Sequence, residues 1–195
     1  KKNIIVNALG VSDSGGISTL AKVLDELKHN KDINAHIFTF KNKNIDFIKK
    51  KFKSHSNLKL IRIRKKNYII RLIFENIYFK KYSEKNDIKL IYNFTGSTQH
   101  FLKIPQLLKF HNLNFYSKKL DTYCIKKNKF KHYLKRILLG RFIMNAMLKK
   151  AKYIEIQSDH VRENIEEYIN LKNKKLFIKN DFSTPITMNK NIKQY

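Results

Sequence analysis

His111 and Asn112 close the run QLLKFHN, in which an apolar stretch ends in an imidazole and a side-chain amide. A histidine there can give or take a proton near neutral pH and hydrogen-bond a hydroxyl-bearing ligand; at a strand end it can equally be a satisfied structural residue. A second group lies in NALGVSDSGGISTL, where an apolar run meets Gly10, Ser12, Asp13, Ser14, Gly15, Gly16 and Ile17 before a helical pattern begins. Loops between a strand and a helix gather free N–H groups and the positive end of the helix dipole, which suits an anion or a sugar. The spacing of the glycines excludes two standard versions of such a loop. The dinucleotide fingerprint needs G-x-G-x-x-G and an acid at the end of the next strand, which here reads HIFTFKNKN; a P-loop needs Lys-Ser/Thr where Gly16-Ile17 stands. No nicotinamide or flavin cofactor is therefore expected. What remains is backbone approach to a ligand at Gly15-Gly16, or simply a tight turn with Gly16 as the helix N-cap.

Thr95, Gly96 and Ser97 follow the run IKLIYNF and form either another wall of the same crevice or a plain turn. Ser158 with Asp159 reads foremost as a helix N-cap. His29, His55, His132 and His160 lack metal-ligand spacing with acidic partners, and His100 has only Gln99 beside it, so no metal is expected. The single Cys124 excludes an internal disulfide and a cysteine zinc site, which fits a reducing cytoplasm.

These residues need a scaffold, and the chain supplies one. Strand patterns fall at residues 4–9, 36–40, 58–63, 88–94, 106–110, 153–157 and 176–179; helical patterns fall at 16–29, 46–53, 68–86, 131–150 and 159–170. The alternation predicts an α/β fold: a Rossmann-like, doubly wound and mainly parallel sheet with helices on both faces. Ligands of such sheets bind where strands end, which is where His111, Gly15, Gly96 and Ser158 fall. Residues 1–180 read as one domain, and 181–195 lose periodicity and read as an exit segment.

The formal charge is +27, yet only six of the 42 basic residues are arginine, and Lys, Ile and Asn together make 83 of the 195 residues. Lysine-dominated charge of this kind follows from AT-rich coding. Scarce arginine weakens a nucleic-acid reading, while lysines suit an anionic lipid surface. From Lys118 to Lys152 there are twelve basic residues against Asp121 alone, with Tyr123, Phe130 and Phe142 among them. That region is either a solvated lysine face or a surface that rests on lipid headgroups.

Taken in order, four stretches resemble the N-terminal domain of GT-B glycosyltransferases, in particular the retaining family 4. NALGVSDSGGISTLAKVLDEL is similar to the first strand, Gly-Gly loop and first helix. IKLIYNFTGSTQHFLKIPQLLKFHNLNFYS is similar to the middle strands, AKYIEIQSDHVRENIEEYI to the strand that ends in Ser before a helix, and NKKLFIKNDF to the last strand. Asp181 stands where the family usually has glycine. Glu155 and Glu163 match the spacing of the family's acidic pair, but Glu155 lies mid-strand and that pair belongs to the other domain.

The resemblance implies a glycosyltransferase of hexosyltransferase type, with a nucleotide sugar as donor, a saccharide or lipid-linked acceptor, and neither cofactor nor metal. It implies that His111 contacts the donor sugar, and that Gly15, Gly16, Ile17, Asn112, Thr95, Gly96 and Ser158 border the substrates. It also implies a second, donor-binding domain beyond this stretch, so that the 195 residues alone would be inactive. A cytoplasmic enzyme, peripheral on the inner face of the membrane and building a lipopolysaccharide or capsule, is the expected setting. Two rivals stand: a non-catalytic basic module that binds polyanions, and a sugar-nucleotide epimerase of the same fold.

Overall fold

The computed structural model describes residues 1–179 apart from Asn42, Lys65, Lys66, Thr95 and Asn112. The exit segment expected at 181–195 lies outside the described residues. Seven apolar runs become β1 (Lys2–Asn7), β2 (Ile33–Phe40), β3 (Leu58–Ile63), β4 (Ile88–Asn93), β5 (Gln106–Lys109), β6 (Tyr153–Ile156) and β7 (Lys175–Ile178). All pair in parallel, in the order β3-β2-β1-β4-β5-β6-β7. The centre of a parallel sheet is buried on both faces, which is why β1 reads as an unbroken Ile4-Ile5-Val6 and not as an alternation.

Helices cover both faces: α1 (Ser14–His29), α2 (Lys43–Phe52), α3 (Tyr68–Lys85), α4 (Lys118–Lys126), α5 (Phe130–His132), α6 (Leu139–Lys150) and α7 (Asp159–Glu166). Ile17, Leu20, Ala21 and Leu24 form the inward stripe of α1 at helical spacing, and they pack with residues of α2 against Ile4, Val6, Ile37 and Tyr92. On the opposite face Phe79 of α3 meets Ile5, Phe38 and Ile91. Further along that face, Met147 and Leu148 of α6 and Val161 and Ile165 of α7 meet Leu108, Ile154 and Ile156. The result is an α/β Rossmann-like fold, as the alternation predicts.

Three elements differ from expectation. Helix α4 is unannounced because it buries only Cys124 and so shows no apolar period; Ser117 caps it, its Oγ accepting from Leu120 N at 3.3 Å. The helix expected at 131–150 is interrupted by a π-helical turn over Tyr133–Leu138, after which Gly140 passes so close to Phe115 that any side chain there would overlap the ring. Helix α7 ends at Glu166, short of residue 170. Arg141 ties this region together. Its Nη2 donates to both carboxylate oxygens of Asp121 at 2.9 and 2.8 Å, and its guanidinium lies 4.2 Å from the centre of the Tyr168 ring. Burial raises the phenol of Tyr116, which stays neutral and donates to Asn145 Oδ1 at 2.6 Å.

Candidate functional site

The chain leaves β1 toward β2 and β3, then returns to the other side of β1 with β4. A parallel sheet opens a crevice at such a reversal, outside the carboxyl ends of its strands. The Gly loop lies on the β1 side of it. Asp13, not Gly16, caps α1: its Oδ1 accepts from Gly16 N at 2.6 Å, while its carbonyl accepts from Ile17 N at 3.1 Å. A carboxylate is the better cap because it satisfies an orphan N–H and faces the positive end of the helix. Gly15 is exposed, and a Cβ on it would meet only Asp13 Oδ1 at an ordinary 3.4 Å. Internal packing thus does not demand glycine at 15. At 16 a Cβ would be tight, 3.3 Å from both Asp13 Oδ1 and Val11 Cγ1. The Ile17 side chain points into the core.

Across the crevice, His111 is exposed just past β5. Its Nδ1 lies 3.3 Å from Gln157 Nε2 after β6, and its ring meets Phe94 edge-on with centroids 5.7 Å apart. His111 and the Gly15-Gly16 loop border the same edge, but β4 stands between β1 and β5. Two strand spacings make that separation about 10 Å. The gap is bridged by the loop after β4, where Gly96 has φ 76°, a left-handed conformation that only glycine adopts without strain. Ser158 is half-buried and caps α7, its Oγ accepting from Val161 N at 3.4 Å. Thr95 and Asn112 lie outside the described residues.

Beneath this edge lies a buried polar network that the sequence reading missed. Arg71 Nε of α3 donates to Glu75 Oε1 at 2.7 Å, and Arg71 Nη2 donates to Ser97 Oγ at 3.0 Å. Ser97 in turn donates to Glu75 Oε2 at 2.9 Å. Gln99 Nε2 donates to Glu75 Oε2 at 3.2 Å and to Asn93 Oδ1 at 3.0 Å, and Asn7 Nδ2 donates to Asn93 Oδ1 at 3.1 Å. Gln106 Oε1 accepts from Asn93 Nδ2 and from Gln99 N, both at 2.9 Å. The loop after β4 is therefore fastened to α3 and to the ends of β1, β4 and β5 at once.

A second buried pair lies on the other face. Lys109 of β5 is ion-paired with Glu155 of β6, Tyr92 donates to Glu155 Oε2 at 2.9 Å, and the ammonium lies 5.7 Å from the centre of the Phe94 ring. Glu155 is thus a structural partner of Lys109, while Glu163 is exposed on α7. A charged residue within each of the apolar runs QLLKF and YIEIQ was the available signal for the pair. A cavity of about 190 Å³ lies elsewhere, between α1, α2 and the β2–β3 edge, lined mostly by apolar residues such as Leu24, Ile37 and Phe52. Its polar lining is Lys49, Lys53 and Arg62, of which Arg62 is paired with Asp46. Among the described residues no cluster of three His, Cys, Asp or Glu side chains is placed to hold a metal, and no helix is long and apolar enough to cross a membrane.

The fold is Rossmann-like and resembles that of glycosyltransferase domains. Two solved structures carry that statement. One is a glycosyltransferase from Rickettsia africae ESF-5, with TM-score 0.51 and 13% identity over 92% of this chain and 43% of that one. The other is UGT2 of Phytolacca americana, complexed with UDP-2fluoro-glucose and pterostilbene, with TM-score 0.53 and 10% identity over 92% of this chain and 54% of that one. The chain spans about half the length of these structures. No protein-family model matches it, and no curated protein matches it in sequence.

Proposed function

We propose that the chain is the N-terminal, acceptor-side half of a GT-B glycosyltransferase of the retaining family 4 type. In this reading the enzyme moves a hexosyl group from a nucleotide sugar to a saccharide or lipid-linked acceptor. One observation carries it: exposed Gly15 at the start of α1, left-handed Gly96 and exposed His111 all border one sheet edge, across the ends of β1, β4 and β5. A hydroxyl-rich ligand spanning about 10 Å fits between backbone N–H groups on one side and an imidazole on the other. In the transfer, the bond between the anomeric carbon and the phosphate oxygen breaks and one to the acceptor oxygen forms. The acceptor's proton leaves with the diphosphate. His111 holds sugar hydroxyls in position, and a second domain holds the diphosphate.

The polyanion-binding reading is disfavoured by where the arginines go. Arg62, Arg71, Arg141 and Arg162 each pair with a carboxylate of this chain and are not presented as a fork for phosphates.

Three measurements test the proposal. In a longer protein that includes the second domain, His111→Ala should lower transfer by at least tenfold with an unchanged melting temperature, because His111 is exposed; a wild-type rate would remove it from the site. Gly15→Val should likewise cost turnover far more than stability, since the fold has room for a side chain that a ligand would not tolerate. Equal kinetics would reduce the loop to a turn. The 195-residue chain alone should bind UDP-sugars weakly and transfer nothing; micromolar affinity by calorimetry, or turnover above background, would show a whole site in place of half of one.

A further inference from the structure

The large apolar side chains left in solvent are not scattered. Among the described residues, all but Phe47, Phe101, Phe177 and Ile178 lie on α3 or in the helical stretch from α4 to α6. On α3, Ile69, Ile70, Ile73 and Ile77 are between 49% and 70% exposed and share one side of the helix. In the second region Phe130, Leu134, Leu138 and Phe142 recur every four residues, and Phe142 is 73% exposed. Four residues of α-helix rotate such a stripe forward by about 40°, and four of π-helix rotate it back by about 30°. The π-helical turn over Tyr133–Leu138 therefore keeps the four side chains in line along one ridge.

The two surfaces belong together. Leu72 of α3 packs into the same cluster as Ile143 and Met144 of α6, and the loop after β4 touches both helices, through Arg71 to Ser97 and through Gly96 beside Met144. Their charge is mainly positive as well. Glu75 is buried against Arg71 and Asp121 is held by Arg141, so these two acids face inward; Glu84 near the end of α3 is exposed, against exposed Lys80, Lys81, Lys119, Lys126, Lys127, Lys129 and Lys131. Helix α7 differs, since Asp159, Glu163 and Glu166 are all in solvent.

We infer that α3 and the α4–α6 region form a docking surface for an anionic lipid bilayer, with the isoleucines of α3 and the Phe130–Phe142 ridge entering the headgroup layer and the lysines meeting lipid phosphates. Exposed aromatic and branched side chains with an excess of lysines beside them are the chemistry of such a contact. Because Arg71 in the first turn of α3 and Met144 of α6 both meet the loop after β4, docking brings the carboxyl edge of the sheet to the membrane surface. A lipid-linked acceptor would reach that edge without leaving the bilayer. The docking itself does not rest on the transferase proposal: a chain that binds vesicles but belongs to an enzyme without transfer activity would overturn only the latter.

The chain contains no tryptophan, so a single introduced one reports its own surroundings. Flotation of the 195-residue chain with phosphatidylglycerol-rich vesicles, against vesicles of phosphatidylcholine alone, should show binding to the first only. Phe142→Trp should shift its emission to the blue on binding and be quenched by brominated lipid chains. Phe47→Trp, on the exposed side of α2, should do neither. Phe142→Asp should weaken partitioning roughly tenfold with the fold intact by circular dichroism, and Phe47→Asp should leave it unchanged. Absence of flotation would overturn the proposal. So would flotation with Phe142→Trp still reporting water, which is adsorption by charge alone. A dimer that Phe142→Asp dissolves, with no vesicle binding, would assign the ridge to a second copy of the chain and overturn it too.

Discussion

Arg71→Met is expected to destabilise the chain by about 3–5 kcal/mol, because it leaves the carboxylate of Glu75 buried without its cation. Glu75 has no solvent exposure, and its remaining contacts, Ser97 and Gln99, are neutral donors. For a chain of this size the loss corresponds to a fall in melting temperature of roughly 10 °C. Removing both partners, as in Arg71→Met with Glu75→Leu, should recover much of that loss, since two apolar side chains can replace a buried pair at little cost. The two substitutions should thus couple strongly in a double-mutant cycle. The single variant should also free the loop after β4, seen as faster amide exchange at Ser97 and Gln99 than in the wild type. If Arg71→Met melts within 2 °C of the wild type (about 1 kcal/mol or less), Glu75 is hydrated and the network does not fasten the loop.

Lys109→Met is expected to have an effect of similar size, about 3–5 kcal/mol, for the same electrostatic reason on the opposite face of the sheet. Lys109 is 1% exposed, and Glu155 would keep only the Tyr92 hydroxyl of its two side-chain partners. The second consequence concerns the candidate site. The ammonium lies over the Phe94 ring, whose neighbour is the imidazole of His111. Loss of the charge should let Phe94 reorient, so the ring-proton resonances of His111 should move in Lys109→Met. In Lys80→Met, an exposed lysine of α3, they should not. Unmoved His111 resonances in a folded Lys109→Met would separate the pair from the site; unchanged stability would show that Glu155 finds another cation.

The sheet was legible because its strands are buried and therefore written as unbroken apolar runs; Leu58–Ile63 falls where the pattern puts it, and the other strands begin or end within three residues of it. Helix α1 was legible from the spacing of Ile17, Leu20, Ala21 and Leu24. Helix α4 was not, since KKLDTYCIK is held by a cap and by Asp121 to Arg141, neither of which leaves a period. The π-helical turn leaves none either, because apolar residues four apart suit both kinds of helix. For the site, single residues at strand ends could be named, but not what holds them. Asn7, Arg71, Asn93, Gln99 and Gln106 come together only through the strand order, and each alone reads as an ordinary polar residue. Asp13 was visible as a loop neighbour, yet nothing in the spacing told it apart from Gly16 as the cap.

The strand order also sets a timetable for synthesis. Strand β1 pairs with β2 on one side and β4 on the other, and its Asn7 meets an Asn93 that lies 86 residues downstream. At ribosomal rates of about 5–20 residues per second, β1 waits roughly 4–17 seconds with one edge open. That edge is centred on Ile4, Ile5 and Val6, an uncharged β-branched run of the sort that recruits a neighbouring chain if left unpaired. Nascent copies on crowded polysomes thus meet their greatest hazard before residue 93 emerges, and a trigger-factor-like holdase acting in that interval would raise the yield of native chain more than any help given later.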